Sequence, residues 1–133
     1  MCTNETGLKL FKILFVDDDE TLLLLAEKSL KRMGFKPVTV NGGEEAQRIL
    51  ETENFDLVIT DLYMEKGGGQ QLIDWCLENR KDTKLMAISG EDLNVTLSAL
   101  EIVADKGIPT MEKPFKMDNL EAIINGLMSN QFH

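Results

Sequence analysis

The stretch FDLVITDLYM, from Phe55 to Met64, joins an apolar run to a carboxylate. Leu57, Val58 and Ile59 are apolar and suited to a buried strand. Asp61 follows at the end of that run. A carboxylate at the end of a core strand is unusual, and the other motifs of the sequence indicate why it is there.

Strand-like and helix-like segments alternate along the whole chain. Compact apolar runs predict strands, and apolar residues at helical spacing predict the helices between them. The predicted strands are 12–17, 35–40, 56–61, 84–89 and 109–112, and the predicted helices are 19–33, 44–52, 70–80, a fourth marked by Leu93, Leu97, Leu100 and Ala104, and 118–128. Strict alternation favours an α/β fold, in which a doubly wound parallel sheet carries helices on both faces.

Local signals add detail to this arrangement. Pro37 lacks a backbone donor, which favours an edge position for the second strand. The third helix is predicted to turn its apolar face inward, through Leu72, Ile73, Cys76 and Leu77, and Trp75 is predicted to pack beside it. The glycines at 67–69 open that helix, but no Gly-Lys-Ser/Thr follows them, so a nucleotide-binding P-loop is not indicated.

The composition excludes several classes of function. The chain has 133 residues, the size of one domain, and a formal net charge of −9. Such an acidic surface repels phosphate backbones and anionic lipids, so we expect no direct nucleic-acid binding and no membrane contact. Cys2 and Cys76 do not form a disulfide framework, and a reducing cytoplasm is the simplest location.

Polar side chains follow four of the predicted strands. The first strand leads into Asp17, Asp18 and Asp19, the third ends at Asp61, the fourth at Ser89, and the fifth leads into Lys113. Each has an ordinary explanation alone, since acids cap helices, Asp and Ser form turns, and most lysines are solvated. Ligands of such sheets bind beyond the carboxyl ends of the strands, so the joint occurrence favours one site. Its oxygen ligands suit Mg²⁺.

The motifs ILFVDDDE, DLVITDLYM, AISG and EKPF together resemble the response-regulator receiver domain of two-component signalling. The resemblance covers about Leu10 to Met128. It implies a flavodoxin-like (βα)5 fold with strand order 2-1-3-4-5. We therefore expect a receiver domain at residues 10–130, a flexible N-terminal tail at 1–9, and a cytoplasmic protein that catalyses only its own phosphorylation and dephosphorylation.

The resemblance also implies a role for each residue of the site. Asp61 matches the phosphoacceptor, and Asp17 and Asp18 match the acidic pair that holds Mg²⁺ together with Asp61 and the backbone carbonyl of Tyr63. Ser89 matches the hydroxyl that moves to the phosphoryl group. Lys113 matches the lysine that pairs with that group, and its bond to Pro114 is expected to be cis.

The implied partners are a histidine kinase or histidine phosphotransfer protein as donor and a downstream protein as target. We expect the Asp61 carboxylate to be exposed, so that the donor can approach in line. Tyr63, with Glu91 across the site, is expected to set the lifetime of the aspartyl phosphate.

Two alternatives stay open beside this interpretation. Thr110 stands where receivers usually carry an aromatic residue, which favours altered switching and leaves room for a phosphorylation-independent docking module of the same fold. A phosphatase that forms an aspartyl phosphate shares the nucleophile, but such enzymes place a second Asp two residues later, where this chain has Tyr63.

Overall fold

The computed structural model describes residues 11–64, 68–90 and 101–129 of the chain. Strands and helices alternate as the sequence predicts. The strands are β1 (Lys12–Val16), β2 (Lys36–Val40), β3 (Leu57–Asp61), β4 (Lys84–Ser89) and β5 (Thr110–Glu112). The helices are α1 (Glu20–Arg32), α2 (Gly43–Thr52), α3 (Gly69–Asn79), α4, described over 101–105, and α5 (Met117–Ser129).

All five strands pair in parallel in one sheet of order β2-β1-β3-β4-β5. This confirms the predicted flavodoxin-like α/β fold. β1 lies between β2 and β3, with Ile13 opposite both Pro37 and Leu57. Pro37 therefore lies on an edge strand. One side of this strand has no neighbour in the sheet, so a missing backbone N–H on that side costs no hydrogen bond.

Successive residues of the central strands face opposite sides of the sheet. One side packs against α1 and α5, and its buried residues include Ile13, Phe15, Ala26, Leu30, Leu120 and Ile124. The other side packs against α2, α3 and the segment after α4, and its buried residues include Leu14, Val16, Leu50, Ile73, Cys76 and Ile108. The sheet is therefore covered on both faces.

One detail of the predicted helix faces is wrong. Leu77 is 37% exposed, because Ile73 and Cys76 define the inward face of α3 and Leu77 is turned away from it. Ala104 lies in α4 as predicted, and Val103 is the buried residue beside it. Trp75 packs against the core as predicted, and the guanidinium of Arg80 lies 5.3 Å from its ring centroid.

Several expectations concern residues outside the described ranges. These are the tail at 1–9, the fourth-helix markers Leu93, Leu97 and Leu100, and the loop residue Gly67. No helix among the described residues has the length and apolar character needed to cross a membrane.

Candidate phosphoacceptor site

The carboxyl ends of the parallel strands bring the predicted site residues to one edge of the sheet. Asp17 directly follows β1, Asp61 is the last residue of β3, Ser89 is the last residue of β4, and Lys113 directly follows β5. Because parallel strands end at the same edge, these four positions become neighbours although they are up to 96 residues apart in sequence (113 − 17).

The ammonium of Lys113 lies between two buried carboxylates. Its Nζ is 2.7 Å from Oδ2 of Asp17 and 2.9 Å from Oδ2 of Asp61. Asp17 is fully buried, and the side chain of Lys113 is 22% exposed. A charge pair in such surroundings is stable only with close geometry and further hydrogen bonds, and the site provides both.

Asp17 is oriented by the residue two positions later. Its Oδ1 accepts a hydrogen bond of 2.9 Å from the backbone N–H of Asp19. Asp19 is also the N-cap of α1, because its Oδ1 accepts hydrogen bonds from the backbone N–H groups of Thr21 and Leu22 at 3.0 and 3.2 Å. Asp19 therefore caps α1 with its side chain and orients Asp17 with its backbone N–H.

Asp61 is held by backbone as well as by Lys113. Its Oδ1 accepts a 3.0 Å hydrogen bond from the backbone N–H of Tyr63. The next residue, Leu62, donates from its backbone N–H to the carbonyl of Ile88 at 2.8 Å, which ties this strand end to β4.

The expectation of an exposed Asp61 carboxylate is wrong for this state of the protein. Asp61 is only 3% exposed. The reason is physical: Lys113 approaches Asp61 closely enough to pair with it, and the ammonium then occupies space that a solvated carboxylate would leave to water.

Burial and charge shift two pKa values in the site. Burial raises the pKa of Asp17, and the nearby charge of Asp61 adds to this, while the hydrogen bonds from Lys113 and Asp19 oppose it. For Lys113, burial alone lowers the pKa, but hydrogen bonds to Asp17 and Asp61 and the charges of both carboxylates raise it overall. The two carboxylates therefore stabilise the charged form of Lys113.

Three carboxylates of this site fit a divalent cation. Asp17, Asp18 and Asp61 each offer one oxygen, and these oxygens lie within 4.8 Å of one another. Asp18 is exposed and the other two are buried, so the cluster opens toward solvent on one side. Clustered carboxylate oxygens with room for water are the ligands that Mg²⁺ takes in proteins.

The remaining predicted residues lie around this centre. Ser89 is buried, and its Oγ has no hydrogen-bond partner within the described part of the chain. Tyr63, two residues after Asp61, is 51% exposed. The bond from Lys113 to Pro114 is cis, which confirms that expectation. Glu91 lies outside the described residues.

Sequence reasoning missed two relationships in the site. It assigned Lys113 to a phosphoryl group and overlooked that the same ammonium pairs with both Asp17 and Asp61. It also grouped Asp19 with the acids of the site without predicting that its backbone N–H donates to Asp17. The spacing of Asp17 and Asp19 carries a signal for the second relationship, since a residue two positions before an N-cap can accept the N-cap's backbone N–H.

The family model described as "Response regulator receiver domain" matches residues 13–125. Among curated proteins, the chain is 32% identical over 122 residues to the alkaline phosphatase synthesis transcriptional regulatory protein PhoP of Bacillus subtilis, covering 88% of this chain and 48% of that protein. It is 34% identical over 120 residues to the probable transcriptional regulator ycf27 of Cyanophora paradoxa, with the same two coverages. The chain therefore spans about half the length of the curated relatives it matches.

Solved structures show the same fold. The receiver domain protein (CheY-like) from Methanospirillum hungatei has a TM-score of 0.80 and 24% identity, with 92% of this chain and 98% of that chain covered. The receiver domain (CheY-like) from Methylobacillus flagellatus has a TM-score of 0.72 and 25% identity, with 90% and 99% covered. With its fold, its acidic cluster and a family match over most of its length, the chain belongs to the response regulator receiver domains, which are modules of two-component signalling.

Proposed function

We propose that this domain accepts a phosphoryl group on Asp61 from the phosphohistidine of a histidine kinase or histidine phosphotransfer protein. The observation that carries the proposal is the placement of Lys113 between Asp17 and Asp61 at the carboxyl edge of the sheet. A nucleophilic carboxylate, a cation and an acidic cluster within one site are the groups that phosphoryl transfer needs.

The transfer itself is a displacement at phosphorus. A carboxylate oxygen of Asp61 forms the new O–P bond while the N–P bond of the phosphohistidine breaks, and its electron pair stays on the imidazole nitrogen. Oδ1 is held by the N–H of Tyr63, and Oδ2 contacts Lys113. The ammonium of Lys113 must move from Oδ2 toward the phosphoryl oxygens as charge accumulates there, which also uncovers the buried carboxylate.

Asp17, Asp18 and Asp61 would hold Mg²⁺, with the backbone carbonyl of Tyr63 as the further protein ligand. The ion would neutralise phosphoryl oxygens during transfer. The protein's own part is to orient the ligands: Asp19 fixes Asp17 through its backbone N–H, and the rigid end of β3 fixes Asp61.

Ser89 is proposed to bind the phosphoryl group once it is on Asp61. Its buried Oγ has no hydrogen-bond partner within the described residues, and an unpaired buried hydroxyl gains free energy when it finds an acceptor. Movement of the β4 end toward the phosphoryl group would then alter the surface that a downstream protein contacts.

We further propose that residues 10–130 form the receiver unit, that residues 1–9 form a tail outside it, and that the protein works in the cytoplasm through protein contacts. The regulators it resembles are about twice as long, so a downstream protein target or a further domain would carry the output.

Phosphoramidate tests the proposal, since its N–P bond mimics phosphohistidine. The intact mass should rise by one phosphoryl group with Mg²⁺ and stay unchanged with a chelator. Asp61→Ala should gain no mass, whereas the matched control Asp74→Ala, which changes an exposed Asp of α3, should behave as the wild type. A wild-type chain that never gains mass would favour the phosphorylation-independent docking module.

A further inference from the structure

The first residue of α3 packs directly on the backbone of the acceptor. A Cβ built on Gly69 would overlap the carbonyl oxygen of Asp61 and would lie 2.8 Å from the carbonyl oxygen of Leu62. Real side chains essentially never approach backbone so closely, so only glycine fits. The φ of Gly69 is not positive, which means that this close approach, rather than an unusual backbone conformation, requires the glycine.

α3 has little freedom to move away from this contact. Gly68, the N-cap of α3, abuts the start of α2 on its other side, and a Cβ on Gly43 would lie 2.7 Å from the carbonyl oxygen of Gly68. That same carbonyl accepts the N–H of Leu72 at 2.8 Å, within the first turn of α3. The start of α3 is thus enclosed between α2 and the end of β3, with backbone on both sides.

The end of β3 that contacts α3 includes Asp61, which is a residue of the site. Asp61 accepts a hydrogen bond from the backbone N–H of Tyr63 on Oδ1 and one from Nζ of Lys113 on Oδ2. Any displacement of the Asp61 carbonyl moves the Cα that bears this carboxylate, because the two groups belong to one residue. The contact with Gly69 therefore sets the position of the carboxylate relative to Lys113 and Asp17.

We propose that Gly69 is a positioning residue for phosphorylation, since its lack of a side chain lets α3 fix the backbone of Asp61 in the productive position. The inference rests on the proposed function and identifies a residue that holds the acceptor without touching the phosphoryl group. Gly43 supports it from the far side, through Gly68.

The test compares Gly69→Ala, Gly43→Ala and a control, Gly126→Ala. A Cβ at Gly126 in α5 meets nothing within 4 Å, so the control adds the same atom without a backbone overlap. Each folded variant is measured for the Mg²⁺ dissociation constant by titration calorimetry and for the rate constant of phosphorylation at saturating acetyl phosphate. Thermal unfolding is recorded separately, so that lost stability is not mistaken for lost positioning.

For Gly69→Ala we expect the rate constant to fall on the order of 100-fold, the loss typical of a displacement of about 1 Å at a reacting group. The Mg²⁺ dissociation constant should rise as well, because Asp61 is one of the proposed ligands. Gly43→Ala should show both effects to a smaller extent, and Gly126→Ala should show neither.

A folded Gly69→Ala protein with the wild-type rate constant and Mg²⁺ affinity would overturn the inference, even if its unfolding temperature fell. If Gly69→Ala does not fold, Gly43→Ala decides: wild-type values there would overturn the inference, and a shift in both quantities would support it. If the wild type and Gly126→Ala are not phosphorylated, the proposed function fails, and the Mg²⁺ affinities still test the positioning by Gly69.

Discussion

The ammonium of Lys113 lies 2.7 Å from Oδ2 of Asp17, a residue of the opposite end of the domain's sequence. The same ammonium reaches Asp61, so one cation holds together two buried carboxylates. Lys113 therefore has a structural role in the unmodified protein in addition to the role proposed for it in phosphoryl transfer. The two roles can be separated experimentally.

Lys113→Met should destabilise the protein when Mg²⁺ is absent. The change leaves two buried carboxylates without their cation, so we expect the free energy of unfolding to fall by about 3 kcal/mol. Adding Mg²⁺ should restore more stability to this variant than to the wild type, because the ion then supplies the missing positive charge. Urea unfolding with and without Mg²⁺ measures both effects.

Lys106→Met is the matched control for this prediction. Lys106 pairs with Asp74 at 3.0 Å, but both side chains are exposed, so its removal should change the free energy of unfolding by less than about 0.5 kcal/mol. Equal losses in the two variants, with no extra effect of Mg²⁺ on Lys113→Met, would contradict the structural role of Lys113.

Ser89→Ala and Thr60→Val compare two buried hydroxyls. Ser89 Oγ is unpartnered within the described residues, whereas Thr60 Oγ1 donates to the carbonyl oxygen of Asp61 at 3.0 Å. Ser89→Ala should leave the free energy of unfolding unchanged or slightly higher, and Thr60→Val should lower it by about 1 kcal/mol. A clear loss of stability in Ser89→Ala would show that its hydroxyl is already hydrogen-bonded in the unmodified protein.

Tyr63→Ala should shorten the lifetime of the aspartyl phosphate. Tyr63 is half exposed and stands two residues after Asp61, the proposed acceptor, so the bulk of its ring should slow the approach of the hydrolysing water. The backbone N–H that holds Asp61 is retained in the variant, so the rate of phosphorylation should change little. The measurement is the decay of phosphoprotein after the donor is removed.

Tyr63→Phe keeps the bulk of the ring and serves as control. It should decay at the wild-type rate. If Tyr63→Ala also decays at the wild-type rate, the role assigned to Tyr63 is wrong.

Cys76 should give the domain a pH-dependent stability in alkaline solution. Burial raises the pKa of its thiol from 9.0 to about 11, so the thiol ionises first in the unfolded chain. Its contribution to stability is complete below pH 9.0 and is lost as the pH rises to about 11. Over that interval the loss should reach roughly 2 kcal/mol.

Cys76→Ala removes this titration, although the cavity it leaves lowers stability at every pH. The informative quantity is therefore the difference between the two proteins, measured by urea unfolding across the alkaline range. That difference should shrink as the pH rises from 9.0 to about 11. A constant difference would mean that the thiol is not buried as the structure places it.

The sheet and the meeting of Asp17, Asp61 and Lys113 at one edge of it could be predicted, because both follow from local sequence patterns. Asp17 and Asp61 stand directly after apolar runs, and parallel strands bring such positions to one edge. The burial of Asp61 could not be predicted in the same way, since it depends on the direction in which a lysine 52 residues away extends.

The contact of Gly69 with Asp61 could not be predicted from the sequence either. Three consecutive glycines indicate a loop, but the need for one of them comes from how closely α3 packs on β3 and α2. The face of α3 shows the same limit, because helical spacing alone did not separate the buried Cys76 from the partly exposed Leu77.

The proposed function requires that Asp61 carries the phosphoryl group. Treating the protein with acetyl phosphate and Mg²⁺, reducing the aspartyl phosphate with borohydride and mapping the peptides by mass spectrometry locates the modified residue. We expect borohydride to reduce residue 61 alone, and to reduce no residue in Asp61→Ala. Conversion at Asp17 or Asp18, or phosphorylation that persists in Asp61→Ala, would contradict the proposed function.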